Sequence, residues 1–159
     1  MEVALVAAIA RNRVIGRAGG MPWHIPGELR RFRALTLGQP VIMGHTTYRS
    51  LGTPLPGRTS IVLSRRALDL PDGVLQARSP EAALALARQV GGTRICIAGG
   101  GEVYRLYLPE ADALYLSEID ADADGDVRFP EIPEADWSVV AEEPVPGCPS
   151  YTARVYRRR

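Results

Sequence analysis

An apolar run is continuous at 3–9, and strand-like stretches rich in apolar residues follow at 41–44, 60–63, 94–98 and 114–119. Runs of that length without polar alternation fit strands covered on both faces. A further short strand is expected at 74–77, after the turn Leu70-Pro71-Asp72-Gly73. Between the runs lie stretches of helical period. Glu28, Phe32 and Leu35 recur at i, i+4 and i+7 and share one face, with Glu28 in a first turn where the macrodipole favours a carboxylate. Pro22 and Pro26 bracket Trp23 and exclude a regular helix before Gly27, while Gln39-Pro40 ends this one. Residues 45–51, entered through Gly44 and Thr46, predict a short helix. Ser79-Pro80-Glu81 caps another, in which Ala83, Leu86, Ala87 and Val90 share a face and which Gly91-Gly92 stops. Gly99-Gly100-Gly101 leads into a helix at 102–108 that Pro109 ends. The last third predicts strands at 137–142 and 151–156 joined by a Pro/Gly turn. Strands alternating with helices, then strands alone, predict one α/β domain over 1–159. Its central sheet is mainly parallel, with helices on both faces and an antiparallel C-terminal edge.

The connection at 12–26 carries Gly16, Gly19 and Gly20 and ends on Met21 and Trp23. A long loop of this kind inside a domain suits a lid. Composition adds bounds rather than detail. With 46% hydrophobic and 23% charged residues the chain has the balance of a globular protein, and its length of 159 residues suffices for a sizeable core. A net charge of +1 argues against a nucleic-acid or membrane surface as the main partner. The apolar start carries Glu2 rather than a basic residue and reads as a strand, not a signal segment. Cys96 in a strand and Cys148 between Gly147 and Pro149 give no disulfide framework, so a cytoplasmic setting is expected.

Three places carry candidate chemistry. Glu28 lies beside Phe32 and Leu35, where burial raises a carboxyl pKa and makes a general acid or substrate clamp. On the helix pattern alone, a solvated first-turn glutamate is the plainer reading. Gly99-Gly100-Gly101, between a strand and a helix, offers free amides to a phosphate, although a tight turn accounts for it as well. Asp120, Asp122, Asp124 and Gly125, with Glu131 after them, fit a calcium-loop pattern. That loop needs a flanking helix on each side; here a strand-like run enters it, and Pro130 and Pro133 disfavour an exit helix. His24, His45, Cys96 and Cys148 lack metal-ligand spacing, and no metal site is expected.

The order of these pieces decides between the readings. MPWHIPGELRRF, PVIMGHTTY, SLGTPLPGR, SIVLSR, IAGGGEVY and DGDVRFPEI follow one another in a sequence that resembles dihydrofolate reductases, most closely the bacterial short-chain form. The resemblance runs essentially from end to end. It implies reduction of 7,8-dihydrofolate with NADPH, by hydride transfer to C6 and protonation at N5. It implies that Glu28 binds the pterin and promotes protonation, with Ser117 supporting the carboxylate, and that Met21 and Trp23 close the lid and position water. Val6, Ala8, Leu29, Phe32, Leu51, Leu55 and Ala98 would line the substrate pocket, and Arg58 would pair with the carboxylate of the substrate's glutamate tail. For the cofactor, the resemblance implies Ala8, Ile15 and Gly16 at the carboxamide. Gly44, His45, Thr46 and Thr47 would lie at one phosphate edge, and Leu63, Ser64, Arg65 and Arg66 at the adenosine ribose and its 2′-phosphate. Gly99, Gly100, Gly101, Glu102, Val103 and Tyr104 would lie along the pyrophosphate. A monomer, bound by antifolate inhibitors, is the expected form. The sequence departs from the bacterial pattern in glutamate rather than aspartate at 28, histidine rather than arginine at 45, and Thr53 at a commonly basic position. Two alternatives remain: a related reductase of ribosylated pyrimidines, which the MPWHIPGEL stretch disfavours, and a calcium- or nucleotide-binding module, which Glu28 and Arg58 disfavour.

Overall fold

The computed structural model describes residues 1–16 and 26–159; Met21, Trp23 and His24 lie outside them. Strand β1 (Glu2–Ile9) forms where small and branched apolar residues run unbroken, and it occupies the inside of the sheet. It pairs in parallel with β6 (Arg94–Ile97) on one side and β7 (Ala113–Ile119) on the other. Beyond β6 lie β3 (Pro40–Gly44), β4 (Thr59–Leu63) and β5 (Leu75–Ala77), all parallel. Beyond β7 lie β10 (Tyr151–Arg158) and β9 (Trp137–Val145), with β10 antiparallel to both neighbours. The eight strands therefore run β5-β4-β3-β6-β1-β7-β10-β9, the mainly parallel sheet with an antiparallel edge that the pattern predicts.

Alternation along the strands divides the core in two. Val3, Leu5, Ala7 and Ile9 of β1 face one side, with Ile42, Ile61, Ile95, Ile97, Leu114 and Leu116. That layer is covered by α3 (Pro80–Val90) and α4 (Gly101–Tyr107), the latter running on into a 3₁₀ turn, Leu108–Glu110. Ala4 and Val6 face the other side with Val41, Met43, Cys96, Ala113 and Tyr115. Phe32 and Leu35 of α1 (Pro26–Thr36) and Tyr48 of α2 (His45–Leu51) pack over them. Helices thus cover both faces.

The differences from the predicted elements are local and have physical causes. On α3 the buried face is Ala83, Leu84 and Ala87 rather than a face including Val90, which is 39% exposed. The helix ends there, at Gly91 with φ of 90°. Helix α4 ends at Tyr107, just ahead of Pro109 as the sequence predicts, and the chain makes one 3₁₀ turn whose early positions accept a residue without an N–H. Strand β9 runs past residue 142 and includes Pro144, tolerated because the strand is at an edge. The connection at 12–26 is not wholly a loop: β2 (Val14–Gly16) pairs with β8 (Val127–Arg128) in a second, two-stranded sheet. Cys96 is buried, as expected, and its thiol is pushed up to about 12 by that burial.

Candidate active site

The carboxyl ends of β1, β3, β4, β6 and β7 open on one side, the usual place for a ligand crevice in a parallel sheet. Helix α1 crosses this region with its N-terminal half and brings Glu28 over it. Glu28 is partly buried, and loss of water raises its pKa above the ordinary carboxyl value of 4.5, against the nearby positive charge of Arg31. A carboxyl in that state takes up a proton more readily than one in solvent, which suits proton delivery. Beneath it, the register of β1 and β7 sets Ala8 beside Ser117. The Ser117 side chain is fully buried, and its hydroxyl accepts a hydrogen bond of 3.1 Å from Nη1 of Arg31.

Tyr104 on α4 approaches from the opposite face and donates its hydroxyl to the carbonyl of Val6 at 2.7 Å. Burial, with the neighbouring Glu28 charge, pushes its pKa well up, so this phenol is held as a hydrogen-bond donor. At the apolar end, Phe32 and Leu55 are partly buried against the core with Ala98. Leu29 and Leu51 instead stand 49% and 40% exposed, large apolar side chains only about half covered. Arg58 is held from behind: its Nε donates to the carbonyl of Pro56 at 3.0 Å and its Nη1 to Oγ1 of Thr36 at 3.2 Å. Partial burial lowers its pKa, and so does the adjacent charge of Arg33. Arg33, unassigned by sequence, therefore stands beside Arg58 and adds to the positive field there.

The residues expected to meet a dinucleotide phosphate fit one. Helices α2 and α4 begin at Gly44 and Gly100, and neither start carries a side-chain cap, so no side chain competes for their first amides. The two starts adjoin, since the Gly44 N–H donates to the Gly99 carbonyl at 2.9 Å. Glycine is required there: Gly99 has φ of 108°, and a Cβ on it would meet the Tyr104 ring at 3.2 Å. Thr47 lies against Gly100, Val103 is buried against Gly44, and Glu102 and Thr46 are exposed. Ser64, Arg65 and Arg66 leave the end of β4 after Leu63, with both arginines exposed. Gln76 on β5, which the sequence reading passed over, pins this segment by donating to the carbonyls of Ser64 and Arg66 and accepting from the Leu68 N–H. Ile15 is buried in β2.

The acidic segment after β7 is entered by a strand and left by β8, not by helices. Asp120 accepts from Arg11, and Asn12 exchanges hydrogen bonds with the backbone of Ala123. Among the described residues no cluster of three or more His, Cys, Asp or Glu side chains is arranged to hold a metal. The segment is thereby tied to Arg11 and Asn12, in the turn between β1 and β2.

Comparison with known proteins agrees with this layout over the whole chain. The profile of the dihydrofolate reductase family matches residues 2–157. Dihydrofolate reductase type 3 of Salmonella typhimurium is 46% identical over 137 residues, covering 86% of this chain and 83% of that one. Dihydrofolate reductase type A13 of Escherichia coli is 40% identical over 160 residues, covering 100% and 96%. Among solved structures, dihydrofolate reductase from Enterococcus faecalis, complexed with NADP(H) and RAB-propyl, superposes with a TM-score of 0.92 at 33% identity, covering 99% and 96%. A crevice walled by an acid-bearing helix and two uncapped helix starts, on a chain matched at this level throughout, places the protein in the dihydrofolate reductase family.

Proposed function

We propose a division of labour among this chain's residues for the reaction of its family. The chain reduces 7,8-dihydrofolate to 5,6,7,8-tetrahydrofolate with NADPH as cofactor. When bound, NADPH supplies the hydride that adds to pterin C6. Glu28 accepts hydrogen bonds from the pterin 2-amino group and N3 and promotes proton uptake at N5. Its raised pKa is the observation that carries this role, because a carboxyl short of water holds a proton closer to neutrality. Ser117 lies below it and supports the carboxyl end of the pocket.

Val6, Ala8, Leu29, Phe32, Leu51, Leu55 and Ala98 line the pocket; the half-exposed Leu29 and Leu51 gain most from an apolar ligand surface. Arg58, already oriented by Pro56 and Thr36, forks onto the carboxylate of the glutamate tail, a geometry lysine does not reproduce. Backbone groups of Ala8 and Ile15, with Gly16, take the cofactor carboxamide. Gly44, His45, Thr46, Thr47, Gly99, Gly100, Gly101, Glu102, Val103 and Tyr104 form the phosphate-side wall. Leu63, Ser64, Arg65 and Arg66 take the adenosine end. The protein acts as a single domain and a monomer in the cytoplasm, and antifolate inhibitors compete for the pocket. No helix among the described residues is long and apolar enough to cross a membrane.

The test is the loss of NADPH absorbance with and without dihydrofolate. Oxidation is expected only with dihydrofolate present, unchanged by calcium or a chelator. Reduction of a ribosylated pyrimidine in place of dihydrofolate would overturn the reading.

A further inference from the structure

Arg31 is an unusual neighbour for the reacting acid. It stands one helical turn after Glu28, at the i+3 spacing that places side chains side by side, and it points down into the sheet rather than out to solvent. It is half-buried, and its Nη1 is tethered to the fully buried Ser117 hydroxyl. Among the described residues no carboxylate lies within ion-pair distance of it, although six such pairs form elsewhere. A guanidinium placed this way has lost water without gaining a partner ion. Burial accordingly lowers its pKa, against the nearby Tyr151, Glu28, Glu143 and Tyr115. An arginine nevertheless keeps its charge at any working pH.

We propose that Arg31 is a positioning residue for the reaction: clamped to Ser117, it holds a fixed positive charge under Glu28 and so sets the pH range over which that carboxyl can serve the substrate. The role rests on the assignment of Glu28 above. Tethering is what makes the charge effective, since a free surface arginine swings into water and is screened. Ser117 then acts on Glu28 through Arg31 rather than by direct contact. The sign follows from charge. A cation beside the carboxyl opposes proton uptake, so it holds the midpoint of proton-dependent turnover at lower pH than burial alone would give. Removing a neighbouring opposite charge raises a carboxyl midpoint by about one unit. The other groups facing the pair are Tyr104 from α4, Tyr115 from β7, Tyr151 from β10 and Glu143 from β9.

The experiment follows the Glu28 carboxyl directly, by ¹³C NMR on glutamate-labelled protein free of cofactor and substrate, titrated from pH 4 to 9. Glu28→Gln identifies the resonance and separates it from Glu143. In Arg31→Gln the Glu28 midpoint is expected to rise by about one unit, and in Arg31→Lys to stay near the parent value. Ser117→Ala, which frees the clamp without touching either charge, is expected to raise it by a smaller amount. It also provides the readout if Arg31→Gln does not fold. In single turnover, hydride transfer by Arg31→Gln should persist to higher pH, and in the Glu28→Gln background the Arg31 substitution should no longer move the profile. A Glu28 midpoint unmoved in both Arg31→Gln and Ser117→Ala, or an Arg31→Lys that behaves as Arg31→Gln, would overturn the proposal. Because the titration needs no turnover, a protein inactive on dihydrofolate would fail the functional reading without deciding this one.

Discussion

Replacing Glu2 by glutamine should destabilise the protein by about 2 kcal/mol at neutral pH and leave it nearly unaffected in acid. Glu2 opens β1, and its side chain, 18% exposed, gathers three donors. Oε1 accepts from Nε of Arg94 at 2.8 Å and from the Tyr115 hydroxyl at 2.9 Å, and Oε2 accepts from Nη1 of Arg157 at 2.6 Å. Arg94 in turn stacks over the Tyr115 ring and donates to the Leu35 carbonyl at 2.9 Å, fixing the end of α1. The Arg157 contact contributes little, since that side chain is 48% exposed and screened. The two inner bonds are charge-assisted, about 1.5–3 kcal/mol each, and a neutral amide oxygen keeps roughly half of that.

For a chain of 159 residues, 2 kcal/mol lowers Tm by about 4–8 °C. Burial alone would raise the Glu2 pKa, but the bonds from Arg94, Arg157 and Tyr115 together outweigh it and bring it below the ordinary 4.5. A carboxyl lowered on folding gives stability that is present above its unfolded pKa and lost as pH falls through its folded one. Thermal unfolding of parent and Glu2→Gln from pH 7 to pH 3 should therefore show two Tm curves converging in acid. Curves that stay parallel, or that coincide at pH 7, would refute the reasoning.

Glu28→Gln should lower hydride transfer near neutrality by about 10²–10⁴-fold, with the residual rate rising as pH falls. Because the carboxylate is short of water, the same variant should be no less stable at pH 7, measured by thermal unfolding. Replacing Arg65 and Arg66 by glutamine should weaken NADPH binding by roughly 10- to 150-fold per lost charge-assisted bond and leave NADH binding unchanged, read as dissociation constants by fluorescence titration. Tyr104→Phe removes a buried donor from the Val6 carbonyl and should cost about 1–2 kcal/mol in urea unfolding; an unchanged midpoint would show the bond contributes nothing.

What could be read from the sequence depended on the range of the interaction. Helix α2 appears at the residues its pattern predicts, because Gly44 and Gly52 mark both ends locally. The buried strands are legible for the same reason, as unbroken apolar runs between turns. Strands of two and three residues carry no period; β5 is marked by the turn at 70–73 before it, whereas β2 and β8 exist through their mutual pairing across 111 or more residues, which no local signal announces. Leu84 rather than Val90 joins the buried face of α3, because Val90 is the last residue before the Gly91 cap and stays exposed. Glu28 could be singled out from its neighbours, whereas nothing local sets Arg31 apart from Arg30 and Arg33. Its distinguishing contact, Ser117, lies 86 residues away in sequence. Glu2 and Arg94 are separated by 92 residues and share no motif.

The strand order also bears on how the chain is made. Strands β1 and β3 are not adjacent; β6 lies between them, although it is synthesised after β5 and α3. A nascent chain of about ninety residues thus carries β1 and the β3-β4-β5 block as separate pieces with open edges, and Arg94–Ile97 joins them on emerging. Nor is the end of the chain an appendage, for β10 fills the interior slot between β7 and β9. Folding must therefore wait on nearly the whole polypeptide. A chain cut short before residue 94 would leave β1 and β3 each with an unpaired edge, the kind of edge that invites pairing with another chain.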